Sequence, residues 1–208
     1  MNHGFSIDEI ADVYYLKSPS QLKVLAEPIR YRMCLLLTKP HSCAAVARSL
    51  KITRPKAHYH LKKLESVGLV RPYSEAVVNG IVEKYYLVIG RMLDFSHLVP
   101  RSNEVLPDNV SAEVVGAISD FLSSMLDVSR ENALAAYESH ALGKSYFFDF
   151  DSVMTRDQLD AIKAKMVALR EEVIALSHQN LAGTQDGLDL VPFHMSAYIS
   201  PKKDSTDA

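Results

Sequence analysis

The sequence predicts an α+β, mainly helical chain, and three observations carry that expectation. Apolar residues recur at helical spacing in several stretches of the 208 residues. Strand-like runs are short, and the clearest pair flanks Asn79-Gly80, the strongest short hairpin signal. Pro28, Pro40, Gly68 and Gly143 punctuate these runs instead of interrupting them.

From the N-terminus, Ile7 to Tyr15 is read as an amphipathic turn or two. Helix resumes over Leu22 to Leu25, and Glu27-Pro28 starts a second helix because proline is tolerated in a first turn. Ile29, Met33, Leu36 and Leu37 recur at helical spacing and are expected to face the core, and Lys39-Pro40 stops the run. Ser42 suits the cap of a short helix over Cys43 to Leu50, with Val46 and Leu50 inward. Lys51-Ile52 is the turn. Thr53 caps the next helix, Pro55 sits in its first turn, and Ala57, Leu61 and Leu64 form one apolar stripe. Gly68 ends it in the left-handed position.

Leu69 to Val78 and Ile81 to Val88 then form a hairpin. A two-residue loop pairs Val78 with Ile81, which sets Glu75 opposite Lys84 and Tyr73 opposite Tyr86. Helix, helix, short helix, turn, basic helix and hairpin is the order of a winged helix-turn-helix.

Beyond Asp94 the expected order is linker, helix, strand, helix, strand. A long helix opens at Asn109 or Ser111 and reaches about Ser139, with Val114, Val115, Ile118, Leu122, Met125 and Leu126 inward. Tyr146, Phe148 and Phe150 alternate as a strand, read as packing under the next helix, with a ligand pocket shared with Phe193, Met195 and Tyr198 as the alternative. Thr155 caps that helix, Arg156 to about Gln179, with Leu159, Ile162, Met166, Leu169, Val173 and Leu176 inward. Val191 to Ile199 is a last strand. The domain plan is therefore 1–92, a winged helix-turn-helix DNA-binding domain; 93–108, a linker; 109–201, a C-terminal helix-strand-helix-strand domain for dimerisation and effector binding; and 202–208, a frayed tail.

Composition limits the function. Apolar residues make up 48% of the chain, which supports a packed core. The formal net charge of −2 hides a segregation. Thr38 to Pro72 holds Lys39, Arg48, Lys51, Arg54, Lys56, Lys62, Lys63 and Arg71 against Glu65 alone. Arg101 to His140 is acidic. A basic patch on a near-neutral protein suits phosphate. Cys34 and Cys43 lie in apolar helical contexts and are read as reduced thiols of a cytoplasmic protein. No signal peptide and no membrane-length apolar run is read, so no membrane association is expected.

With Ala57, Leu61 and Leu64 inward, the opposite face of that helix presents Arg54, His58, Tyr59 and Lys62, flanked by Lys56 and Lys63. A helix of this width fits the major groove of double-stranded DNA. Arg54 and His58 are the candidates for base contact, Tyr59 for base or sugar, and Lys56, Lys62 and Lys63 for the backbone. Thr53 and the helix N-terminus add donors for a phosphate, and Lys84 on the wing touches a flanking one.

The runs LKVLAEPIRYRMCLLL, VARSLKITRPKAHYHLKKLESVGLV and NGIVEKYYL resemble the arsenical-resistance-repressor (ArsR) family of winged-helix regulators. The resemblance covers roughly Leu22 to Val88. It implies a cytoplasmic homodimer that represses transcription and releases DNA on binding a small-molecule effector. Metal-sensing members carry a Cys-x-Cys pair where this chain has Cys43 alone, so no thiolate metal site is expected. The wing tip lacks the arginines common in relatives, so a strong minor-groove contact is not expected either.

Other sites are not evident. His58 and His60, two apart on a helix, point to nearly opposite sides and cannot share one ion. His60 is read as a packing residue with one hydrogen bond. His41 with Cys43, and His97 near Asp94, lack further ligands, so no metal and no cofactor are assigned. The effector site is left unknown, with the dimer seam or the ground between C-terminal domain and reading head as its expected place. No phosphate loop, nucleophile elbow or zincin helix occurs, so the chain is not read as an enzyme. The expectation is a DNA-binding repressor acting as a homodimer on a pseudo-palindromic operator. The alternative is a winged-helix module that docks an acidic protein.

Overall fold

In the computed structural model, residues 10–78, 80–98, 112–138, 153–182 and 195 are described. The chain falls into two compact units, Met1–Glu131 and Asn132–Ala208.

Among the described residues of the first unit, the first element is strand β1 (Ala11–Tyr15), where a helical turn was expected. Its partner explains the difference. β1 pairs in parallel with β5 (Gly90–Asp94), from Ala11 opposite Gly90 to Tyr15 opposite Asp94. The pairing is set by residues far along the chain, and no local period reports it. Gly90 is required there, since a Cβ at that position would run into Tyr14. The expected linker thus begins inside a strand, and a 3-10 turn, Ser96–Leu98, follows it.

Helices α1 (Pro19–Leu25) and α2 (Pro28–Leu36) each start at a proline, whose missing N–H is no loss in a first turn. Buried Gln21 ties this corner together. Its side-chain oxygen accepts from Lys17 N at 2.7 Å, and its Nε2 donates to Val67 O at 2.9 Å. Met33 and Leu37 are fully buried, while Ile29 and Leu36 pack partly buried against the same core.

A two-residue strand, β2 (His41–Ser42), leads into α3 (Cys43–Ser49), and Ser42 Oγ accepts from Ala45 N at 3.3 Å as the cap. Lys51 then takes a left-handed backbone with φ 52°, an uncommon choice for a residue with a Cβ, and reverses the chain toward α4 (Arg54–Ser66). Ile52 N donates to Ala47 O at 2.9 Å and locks that turn. At the far end of α4, Gly68 has φ 72°, and Leu69 N donates back to Leu64 O at 3.0 Å.

Strands β3 (Val70–Val78) and β4 (Ile81–Val88) form an antiparallel hairpin, and the sheet order is β2-β4-β3. Val78 pairs with Ile81 and Glu75 with Lys84, as the two-residue loop requires. Tyr73 does not face Tyr86. Pro72 does, and Ser74 faces Tyr85, so the ladder takes up one extra residue between them. Pro72 has no N–H to give to the ladder, which makes this the natural place for a bulge.

Helix α5 (Ala112–Glu138) starts in the first unit and crosses into the second. Its buried residues are Ala117, Phe121, Ser124 and Val128. Phe121 is fully buried, with the rings of Tyr31 and Phe95 edge-on to it, each at 5.7 Å. Lys23 to Glu113, at 2.7 Å, and Arg32 to Glu131 pin the same helix to α1 and α2. Three residues expected to point inward, Val115, Leu122 and Leu126, are exposed instead. α5 is apolar on two opposite sides, and periodicity alone cannot choose between them.

In the second unit, α6 (Arg156–Ala182) opens with a reciprocal cap. Gln158 N donates to Thr155 Oγ1 at 3.2 Å, and Thr155 N donates to Gln158 Oε1 at 3.0 Å. Leu159, Ile162, Met166 and Val173 are partly covered, whereas Leu169 and Leu176 are exposed. The expected strands at Tyr146–Phe150 and Val191–Ile199 lie outside the described residues, apart from Met195. No helix among the described residues is long and apolar enough to cross a membrane.

Candidate nucleic-acid interface

α4 is a helix with two unlike sides. Ala57, His60, Leu61 and Leu64 are buried against the core formed with Leu22, Leu25, Met33, Val46 and Leu87. Arg54, Lys56, His58, Tyr59, Lys62 and Lys63 are exposed. The partition is the one the apolar stripe predicts, with His60 added to the buried side. The helix can hold this position because its first turn is capped: Thr53 Oγ1 accepts from Lys56 N at 3.4 Å. Pro55 has no N–H and Ala57 N donates to Thr53 O at 2.9 Å, so Arg54 N is the first-turn donor left without an intrahelical partner at the positive end of the helix dipole.

The exposed side chains are organised. Lys63 Nζ lies 5.7 Å from the centre of the Tyr59 ring. Lys62 Nζ donates to Glu65 Oε2 at 2.7 Å, and this bond raises the lysine's pKa. Arg54 Nη2 lies 3.7 Å from Glu83 Oε1 on β4, so the hairpin reaches the first turn of the helix. Lys84 is exposed on the same strand, with its ammonium 3.4 Å from Glu75 Oε1 across the hairpin. Lys39, Arg48, Lys51 and Arg71 add exposed cations before and after α4. The sequence reading did not single out these four for contact, although their basic run was visible.

Glu83 is the residue the sequence reading missed. Its contact with Arg54 joins two elements far apart in the chain, and no local spacing signals it. The hairpin ends near its turn also carry exposed aliphatic side chains, Val77, Val78, Ile81 and Val82.

The thiols differ. Cys34 is buried and its pKa is pushed up to about 12, so it stays a neutral packing group. Cys43 is only partly covered, and its Sγ donates to Arg54 O at 3.7 Å. Burial raises its pKa and the Arg54 charge opposes the rise. Both are free. His60 is buried, and its Nδ1 has no hydrogen-bond partner, so the single bond expected of it is not made at that nitrogen. Its pKa is lowered, first by burial and then by the Arg30 charge. His97 is stacked on Tyr15 with ring centres 3.9 Å apart, while the Asp94 carboxylate accepts from Ser96 N. Among the described residues no group of three or more histidine, cysteine or acidic side chains is placed to hold a metal ion.

Residues 25–73 match the family model described as a helix-turn-helix domain. The match runs from the end of α1 through α2, α3 and α4 to the first residues of β3. No curated protein matches the chain significantly. The chain therefore carries a helix-turn-helix domain, the module of DNA-binding regulators of transcription.

Proposed function

We propose that this protein is a non-catalytic, ArsR-type winged-helix repressor of the cytoplasm. It binds a pseudo-palindromic operator as a homodimer and leaves it when a small-molecule effector binds. The observation that carries the reading is the exposed, capped cationic face of α4, backed by a buried apolar face that fixes its orientation. A helix presented in this way inserts its N-terminal turn into the major groove, where Arg54 and His58 meet base edges and Tyr59 a base or sugar. Lys56, Lys62, Lys63, Lys84 and the N-terminus at Thr53 hold phosphates.

The outer face of α5 supports the dimer. Val115, Leu122, Leu126 and Tyr137 are exposed along it, and the intervening heptad-spaced positions are Ser119, Ser129 and Ala133. A seam without charge over this length suits a second helix of the same kind. Two such protomers would place their α4 helices about 34 Å apart, one turn of the duplex.

The test is duplex selection followed by anisotropy titration across salt. Lys56→Ala is expected to flatten the slope of log K against log salt by about 0.9 for each phosphate lost. Arg54→Ala combined with Lys56→Ala is expected to weaken the selected duplex by at least about a hundredfold, because each lost contact counts twice in a dimer. A folded double variant that binds as tightly as the parent refutes the reading. Failure to enrich any duplex at moderate salt favours a protein-docking module instead.

A further inference from the structure

We propose that Glu83 is a specificity-determining residue of the α4 face, suppressing binding to non-cognate DNA by occupying Arg54. This rests on the reading of α4 as a DNA-binding helix and adds to it a role for an acid.

The cations of the face divide into two sets. Arg54, Lys62 and Lys84 each stand beside a carboxylate, at 3.7 Å from Glu83, 2.7 Å from Glu65 and 3.4 Å from Glu75. Lys56 and Lys63 have no acidic partner among the described residues, and Lys63 lies over Tyr59 instead. In all three pairs the acid is the better covered partner. Glu83 is 22% exposed at its side chain against 68% for Arg54. Glu83 is also held in the β3–β4 ladder opposite Ala76, whereas Arg54 extends from the first helical turn into solvent. The carboxylate is therefore the fixed charge and the guanidinium the movable one.

On a non-cognate duplex Arg54 meets phosphate oxygens and no guanine edge in register with it. Glu83 already supplies an equivalent anionic partner, and its own charge repels the approaching backbone. The exchange yields little net gain. A cognate base edge offers Arg54 two hydrogen bonds in a plane, the guanine pattern, to which Arg is matched. Only there does leaving Glu83 return more than it forfeits. Lys56 and Lys63, without such restraint, supply the sequence-independent part of binding. Of the three acids, Glu83 matters most for selectivity because its partner is the one aimed at base edges. Glu65 and Glu75 restrain lysines that meet phosphate.

The experiment compares the wild type with Glu83→Gln, Glu83→Asp and Glu113→Gln in anisotropy titrations against the wild-type-selected duplex and a scrambled duplex of equal length. Glu113→Gln removes the same charge from α5, outside the face. Glu83→Gln is expected to tighten the scrambled duplex on the order of tenfold, with a steeper salt slope, and the selected duplex by less than about threefold. The selectivity ratio then falls. Glu83→Asp, which keeps the charge, holds the ratio within about threefold of wild type, and Glu113→Gln leaves both affinities within about twofold. Equal tightening of both duplexes by Glu83→Gln, or none, overturns the inference while leaving the DNA-reading assignment intact. A wild type that does not distinguish the two duplexes overturns that assignment, and this inference with it.

Discussion

α4 and α5 are both amphipathic helices seated on one core, and they differ in what their second face exposes. α4 buries Ala57, His60, Leu61 and Leu64 and turns cations and Tyr59 outward. α5 buries Ala117, Phe121, Ser124 and Val128 and turns Val115, Leu122, Leu126 and Tyr137 outward. An outward face of mobile cations is at ease in water and gains from meeting phosphate. An outward face of aliphatic side chains gains only by leaving water. Burial of one side says where a helix is anchored. The chemistry of the other side says what it is for.

The largest expected effect separates the two faces of α5. Phe121→Ala removes a fully buried ring flanked edge-on by Tyr31 and Phe95, and should lower unfolding stability by about 3–5 kcal/mol in urea titrations at every protein concentration. Next in size, Leu122→Glu together with Leu126→Glu places charge on the exposed side. Far-ultraviolet dichroism should be kept, while sedimentation equilibrium shows dimer dissociation raised by at least about a hundredfold, roughly 2.7 kcal/mol. If this pair sediments as the parent does, the outer face of α5 is not the dimer seam, and the contrast with α4 loses its meaning.

The same contrast marks how far the sequence could be read. α4 was legible because each feature has a neighbour as its cause. Thr53 caps within three residues, and Gly68 ends the helix at its own position. The hairpin register was legible from Val78 to Glu75, then failed at Tyr73, where Pro72 gives no donor and the ladder shifts. β1 was misread because its partner is β5, and parallel pairing leaves no local mark. The inward side of α5 was read only in part, with Ile118 and Met125 packed on the core but Val115, Leu122 and Leu126 exposed, because both of its sides are apolar. Its orientation is fixed by Tyr31, Phe95 and the ion pairs of Lys23 and Arg32, all distant in sequence. Of the site, the cations of α4 were visible and the acid that meets Arg54 was not.

The smallest effect sharpens the comparison on the buried sides. The inner face of α4 carries a titratable group, His60, and that of α5 carries none. Burial and then the Arg30 charge hold the His60 pKa below its ordinary 6.5, with Lys56 adding to the fall and Glu27 opposing it. Well above 6.5 the ring is neutral in folded and unfolded chains alike, and folding is insensitive to pH through this group. Below it the unfolded chain takes up the proton first, so stability falls with pH until the folded ring also titrates. On going from about pH 7.5 to about pH 5.5 the wild type should therefore lose more thermal stability than His60→Gln, measured by the shift in melting temperature. An equal loss in both would mean that acid acts elsewhere. The inner face of α4 would then be as indifferent to protons as that of α5, and the two helices would differ only in what they show to solvent.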